Sequence, residues 1–144
     1  MIVIQSDGAT EGHNGKLGTV THCGIGFYCI NDGHRYSKRI EAISNNEAEF
    51  YALIAAMKYA IEKGYKRVCF QLDSQIVVNR ANAHGIRQRD PNNPKHTRSI
   101  VMDGFQRTVE KLKLSFDICA FSWIPREYNS EADIQSKASL YPKP

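Results

Sequence analysis

Val68-Cys69-Phe70-Gln71-Leu72-Asp73-Ser74 decides how this chain folds. Val68, Phe70 and Leu72 alternate on one face, as in a strand with one buried side, and the run stops on an acid. Ahead of it, Ser44 opens a helix that runs to about Lys63 and is closed by Gly64. Ala48, Ala52, Ala55, Ala56 and Ala60 give that helix a stripe of small residues suited to close packing on a sheet. A strand reached through such a helix lies parallel to an earlier strand of the same sheet.

Working back from there, the first third reads as β. Ile2–Ser6 is a short strand, followed by a glycine-rich loop over Gly8–Gly18. Cys23–Ile30 is an apolar run interrupted by Gly24 and Gly26, and Asn31-Asp32-Gly33 signals a hairpin into a third strand near Tyr36–Ile40. Working forward, Asp73 or Ser74 caps a short helix to about Ala81, and a loop with Pro91 and Pro94 spans His84–Lys95. A longer helix then reaches about Lys113 with Val101, Phe105, Val109 and Leu112 on one stripe. Ile118–Ile124 is the fifth strand, and Ser130 opens a last helix. The order βββαβααβα predicts an α/β fold in one domain over 1–144. Its five-stranded mixed sheet has three antiparallel strands, then parallel ones, and is flanked by helices.

With 144 residues and 42% hydrophobic content, the chain can bury a substantial core. The net charge of +4 suits a polyanionic partner, and equally a basic surface kept for solubility. The start, Met1-Ile2-Val3-Ile4, carries no basic leader, and no stretch has the length and apolarity of a membrane span. Cys23, Cys29, Cys69 and Cys119 form no CxxC pair and read as buried free thiols of a reducing compartment. A monomeric, cytoplasmic protein without membrane partners is expected.

Four acids occupy positions that packing does not explain. Asp7 and Asp73 end apolar runs, where α/β sheets place their sites. Glu49 lies on the helical face of Ala52, Leu53 and Ala56, where a carboxylate needs a partner or a metal. Asp133 falls in the first turn of the last helix. Each has a plainer reading. Asp7-Gly8 is a common turn signal, Asp73 a helix cap, and Asp133 a capping acid three residues after Ser130. Ser44 with Glu47 forms a capping box, and Asn46 with Glu49 is a competing one. If the four converge, they need cations, and hard divalent ions with oxygen ligands are the natural choice.

Taken together, the Asp7-Gly8 loop, Ser44-Asn45-Asn46-Glu47-Ala48-Glu49, Asp73-Ser74-Gln75 and Trp123 through Asp133 resemble type 1 ribonuclease H over nearly the whole length. Pro125-Arg126-Glu127, Asn129 and Ala132-Asp133 are similar to its compact branch. There, the stretch from Val77 to Pro94 replaces a basic handle helix. The resemblance implies endonucleolytic cleavage of the RNA strand in RNA/DNA hybrids. It assigns Asp7, Glu49, Asp73 and Asp133 to two Mg²⁺ ions about 4 Å apart, with Mn²⁺ able to substitute. It also implies 5′-phosphate and 3′-hydroxyl products. Asn45, Asn46, Gln75 and the backbone of Gly8 would read the minor groove and the 2′-hydroxyl, and Ser44 with Asn46 would hold a phosphate of the DNA strand.

One departure is that Pro125–Glu131 contains no His, where many bacterial relatives carry one. His13, His22, His34, His84 and His96 are expected to stay outside catalysis, with Glu127 as a partial substitute. Slower turnover, or good use of Mn²⁺, follows. Arg87 and Arg89 sit in a positive segment expected to grip the hybrid backbone; a solvated loop is the plainer reading. Two rivals stand beside this enzyme: a silent module that binds hybrids or double-stranded RNA, and a structure-specific DNA nuclease on a related architecture.

Overall fold

A computed structural model describes residues 1–10, 21–42 and 44–140 of the protein. The expected loop beyond Thr10, with His13, lies outside the described residues. The strands are β1 (Ile2–Thr10), β2 (Thr21–Cys29), β3 (Arg35–Ala42), β4 (Arg67–Leu72) and β5 (Ile118–Trp123). The helices are α1 (Asn45–Glu62), α2 (Gln75–Asn82), α3 (Thr97–Lys113) and α4 (Ser130–Ala138). Short 3₁₀ turns occupy Pro94–His96 and Arg126–Tyr128.

The sheet runs β3-β2-β1-β4-β5. β1, β2 and β3 pair antiparallel, and β4 joins β1 and β5 in parallel, as the element order predicts. The hairpin turn forms where Asn31-Asp32-Gly33 predicts it, with Gly33 at φ 76°. Asp32 there accepts hydrogen bonds from the hydroxyls of Tyr59 and Tyr65, pinning the turn to the far end of α1. Despite the opposing effect of burial, these donors hold its carboxyl well below the ordinary range.

β1 is longer than expected, and this shapes the site. Its parallel pairing with β4 ends at Gln5↔Gln71, whereas its pairing with β2 continues from Asp7↔Gly26 to Thr10↔Cys23. Asp7 therefore does not end its strand; it stands just past the point where β4 turns away.

One face of the sheet is covered by α1, whose Leu53, Ala56, Met57 and Ala60 pack on Ile4, Phe27, Val68 and Phe70 in a single core. α4 covers β1, β2 and β3 on the opposite face. Its approach depends on glycine: a Cβ at Gly24 would lie 1.7 Å from the Ser136 carbonyl oxygen, and one at Gly26 would lie 2.4 Å from the Ser136 nitrogen.

Two core expectations are corrected. Val101 is 43% exposed and Met102 takes its place, because α3 turns Asp103 and Gln106 inward to meet Arg80. All four cysteines are free, but only Cys23 and Cys29 are buried; Cys69 and Cys119 are partly exposed.

Candidate active site

The acidic site is assembled by three elements meeting at the end of the β1–β4 pairing. Ser44 is the N-cap of α1, accepting a hydrogen bond from the Glu47 amide at 3.2 Å. That settles the capping alternatives and leaves the Glu49 side chain free to face inward. Gly8 allows the close approach: a Cβ there would lie 2.5 Å from the Ala48 carbonyl carbon and 2.7 Å from the Glu49 nitrogen. Ser74 caps α2 by accepting from the Val77 amide at 3.4 Å, so the Asp73 carboxylate is likewise not consumed as a cap.

Carboxylate oxygens of Asp7, Glu49 and Asp73 lie within 4.8 Å of one another. Asp7 is 5% and Glu49 6% exposed, and Glu49 Oε2 has no hydrogen-bond partner. Burial pushes the Asp7 carboxyl up to about 7; a hydrogen bond with Glu49 partly offsets this, and Asp73 and Asp133 add to it. Glu49 is raised well above its ordinary value by burial, then by the charge and hydrogen bond of Asp7 and the charge of Asp73, against a lowering bond from the Gly8 backbone. Crowded together under burial, Asp7 and Glu49 favour protons that a divalent ion would displace. All-oxygen donors and an orphaned buried carboxylate oxygen fit such an ion.

Asp133 borders this trio rather than joining it. A side-chain hydrogen bond from Asp133 and then its charge help raise the Asp7 pKa, while its carboxylate also lies 3.2 Å from Lys137 Nζ and 3.7 Å from an Arg126 guanidinium nitrogen. The Ser136 hydroxyl bridges the two acids, 3.1 Å from Asp7 Oδ2 and 2.8 Å from the Asp133 carbonyl oxygen.

Two supporting groups were not assigned from the sequence. Asn129 is fully buried and donates its amide to the Ser6 carbonyl at 2.9 Å, with the Asp73 carboxylate 3.4 Å away. Trp123 Nε1 donates to the Asp73 carbonyl at 3.1 Å. An Asn just before a helix reads as a cap, which masked the role of Asn129; its side chain makes no capping bond.

The substrate candidates divide. Asn45 and Gln75 are exposed and Asn46 half-buried in the first turns of α1 and α2, beside the acids. Their amides have no side-chain partner among the described residues. Arg87 is exposed. Arg89, expected to grip nucleic acid with it, instead clasps buried Asp103 with Nε at 2.9 Å, opposite Arg80 at 2.9 Å. The desolvated Asp103 carboxylate takes up the guanidinium groups of Arg80 and Arg89, so Arg89 is engaged within the fold while Arg87 is exposed.

This fold and acid trio define a ribonuclease H-like domain. The profile of the reverse transcriptase-like family matches residues 31–139, and the chain belongs to that family. The matched span contains Glu49, Asp73 and Asp133; Asp7 precedes it and joins the site through the geometry above. Among relatives, EbsB of Enterococcus faecalis is 28% identical over 97% of this chain and 94% of its own. Ribonuclease HI of Halobacterium salinarum is 29% identical over 93% of this chain and 61% of its own length. The crystal structure of the Halobacterium salinarum RNase H1 superposes with a TM-score of 0.75 at 24% identity, covering 96% of each chain. That of LC11-RNase H1 in complex with RNA/DNA hybrid gives 0.74 at 23% identity, covering 97% of this chain and 96% of the other. The resemblance to type 1 ribonuclease H drawn from the motifs is borne out.

Proposed function

We propose that this protein is a divalent-metal-dependent endonuclease that hydrolyses the RNA strand of RNA/DNA hybrids. The observation that carries the reading is the burial of Glu49 against Asp7 and Asp73, with carboxylate oxygens of all three within 4.8 Å of one another. Asp7, Glu49 and Asp73 would hold Mg²⁺ or Mn²⁺, with Asp133 at the margin. When bound, two such ions supply the field that activates water and stabilises the departing oxygen. Attack of water on the scissile phosphorus breaks the bond to the 3′ oxygen and leaves 5′-phosphate and 3′-hydroxyl ends.

This chain's own groups supply position and selectivity. Asn129 and Trp123 fix Asp73 from its side chain and its backbone. Asn45, Asn46 and Gln75 present amides that can donate to and accept from a 2′-hydroxyl, the group that marks RNA. Arg126, with its side chain 74% exposed, brings a guanidinium nitrogen to 3.7 Å from the Asp133 carboxylate.

The deciding experiment is cleavage of an end-labelled RNA strand paired with DNA, with and without Mg²⁺ or Mn²⁺, beside Asp73→Asn. Metal-dependent nicking, lost in that variant, supports the reading. Hybrid binding without nicking under either metal would replace it with the silent module, and cleavage of DNA duplex in preference to hybrid with the DNA nuclease.

A further inference from the structure

Trp123 closes β5 at the sheet edge that carries the acids, in register with Leu72, the residue before Asp73. Its indole Nε1 donates to the Asp73 carbonyl at 3.1 Å, which ties the side chain to the strand bearing that acid. Yet the residue is 46% exposed. Among the described residues its ring stacks on no other ring and meets no cation, whereas Phe27 and Phe70 stack on neighbouring rings.

Bonding the N–H does not require leaving the ring in water. An aromatic side chain with one end bonded and a broad apolar face free suits a surface that meets a partner. Because the hydrogen bond already sets its orientation, little rotamer freedom is lost when something packs on it. Under the reading above, the partner that reaches Asp73 is the hybrid, whose bases are paired and stacked on one another. What its wide, shallow minor groove offers a flat ring is the edge of its sugars. The amides of Asn45, Asn46 and Gln75 can bond hydroxyls but bring little apolar surface. β5 lies beyond β4 in the sheet, so Trp123 stands on the side of Asp73 away from Asp7.

We propose that the exposed face of Trp123 packs against a sugar of the RNA strand next to the scissile phosphate, and so sets the register of that strand over Asp73. The inference rests on the nuclease reading and adds a substrate-positioning residue to it.

Trp123 is the only tryptophan of the chain, so its emission reports this residue alone. The test titrates the full Asp73→Asn chain, in Mg²⁺, with a short RNA/DNA hybrid. Emission should be quenched and acrylamide access should fall, both saturating with binding measured by anisotropy of labelled hybrid. In the chain that retains Asp73, Trp123→Ala should raise KM about tenfold with kcat changed less. Trp123→Phe, which keeps a flat ring but not the N–H, should recover most of that loss. A residue that only holds the Asp73 carbonyl would fail alike as Phe and as Ala, in kcat and in metal requirement. That pattern, or unchanged emission at saturating hybrid, would overturn the proposal and leave the nuclease reading intact. Emission that shifts with protein concentration and not with hybrid would also overturn it, assigning the ring to a contact between copies of this chain. Hybrid neither bound nor cleaved would overturn both. If Trp123→Ala does not fold, the emission titration and the Phe variant decide.

Discussion

The amide of Asn129 lies 3.4 Å from the Asp73 carboxylate while bonding the Ser6 carbonyl at 2.9 Å, joining β4's acid to β1 through a residue that is fully buried. Asn129→Ala should cost about 1–3 kcal/mol, since a buried carbonyl loses its donor. A positioning role adds a second effect: the metal concentration for half-maximal cleavage should rise more than KM for hybrid. Urea denaturation and metal titrations measure the two separately. An unchanged metal midpoint would reduce Asn129 to packing.

The crowded acids predict how stability depends on pH. Asp7 is raised to about 7 and Glu49 is raised too, so the folded state holds protons that the unfolded chain releases near pH 4. The Asp7 contribution is fully present below that range and is lost as pH rises through about 7, and Glu49, raised by burial in the same direction, adds to the decline. Metal-free protein should therefore lose thermal stability between those limits, and Mg²⁺ should flatten the decline. Melting curves across pH, with and without metal, check both slopes.

Asp73→Asn removes one repulsive charge from the trio. Cleavage should vanish while metal-free stability stays equal or rises, because Ser74 rather than Asp73 caps α2. A variant that unfolds would show Asp73 to be structural.

The two loop arginines should separate in the laboratory. Arg89→Ala removes a clasp on buried Asp103 and should destabilise the fold by about 1–3 kcal/mol. The two guanidinium groups hold the Asp103 carboxyl below its ordinary range against the effect of burial, so this stability is present above the ordinary range and lost in acid. Arg87→Ala should leave stability within about 0.5 kcal/mol, raise KM and lessen its salt dependence. Steady-state kinetics at two salt concentrations distinguish them.

Gly24→Ala tests whether α4 must sit flush on the sheet. The added methyl group would meet the backbone of Ser136, the residue that bridges Asp7 and Asp133. Stability should fall by at least about 1–3 kcal/mol, and residual folded protein should cleave poorly. Denaturation curves together with specific activity provide the check.

The alternation of Val68, Phe70 and Leu72, the alanine stripe of α1 and the hairpin signal at Asn31-Asp32-Gly33 sufficed for element order and sheet type. These are local periodicities, and handedness rules then leave few topologies. Glu49 was legible as well, because an acid on an apolar stripe conflicts with its own helix. The sequence could not show that β1 continues to Thr10, since Asp7-Gly8 has the composition of a turn and only pairing with β2 keeps it extended. Nor could it show that Arg89 turns to Asp103, that Asn129 reaches Asp73, or that Asp133 stands beside the trio facing Lys137 and Arg126. Periodicity reports which face a side chain occupies; the partner across a core or cleft is fixed only when distant elements close on one another.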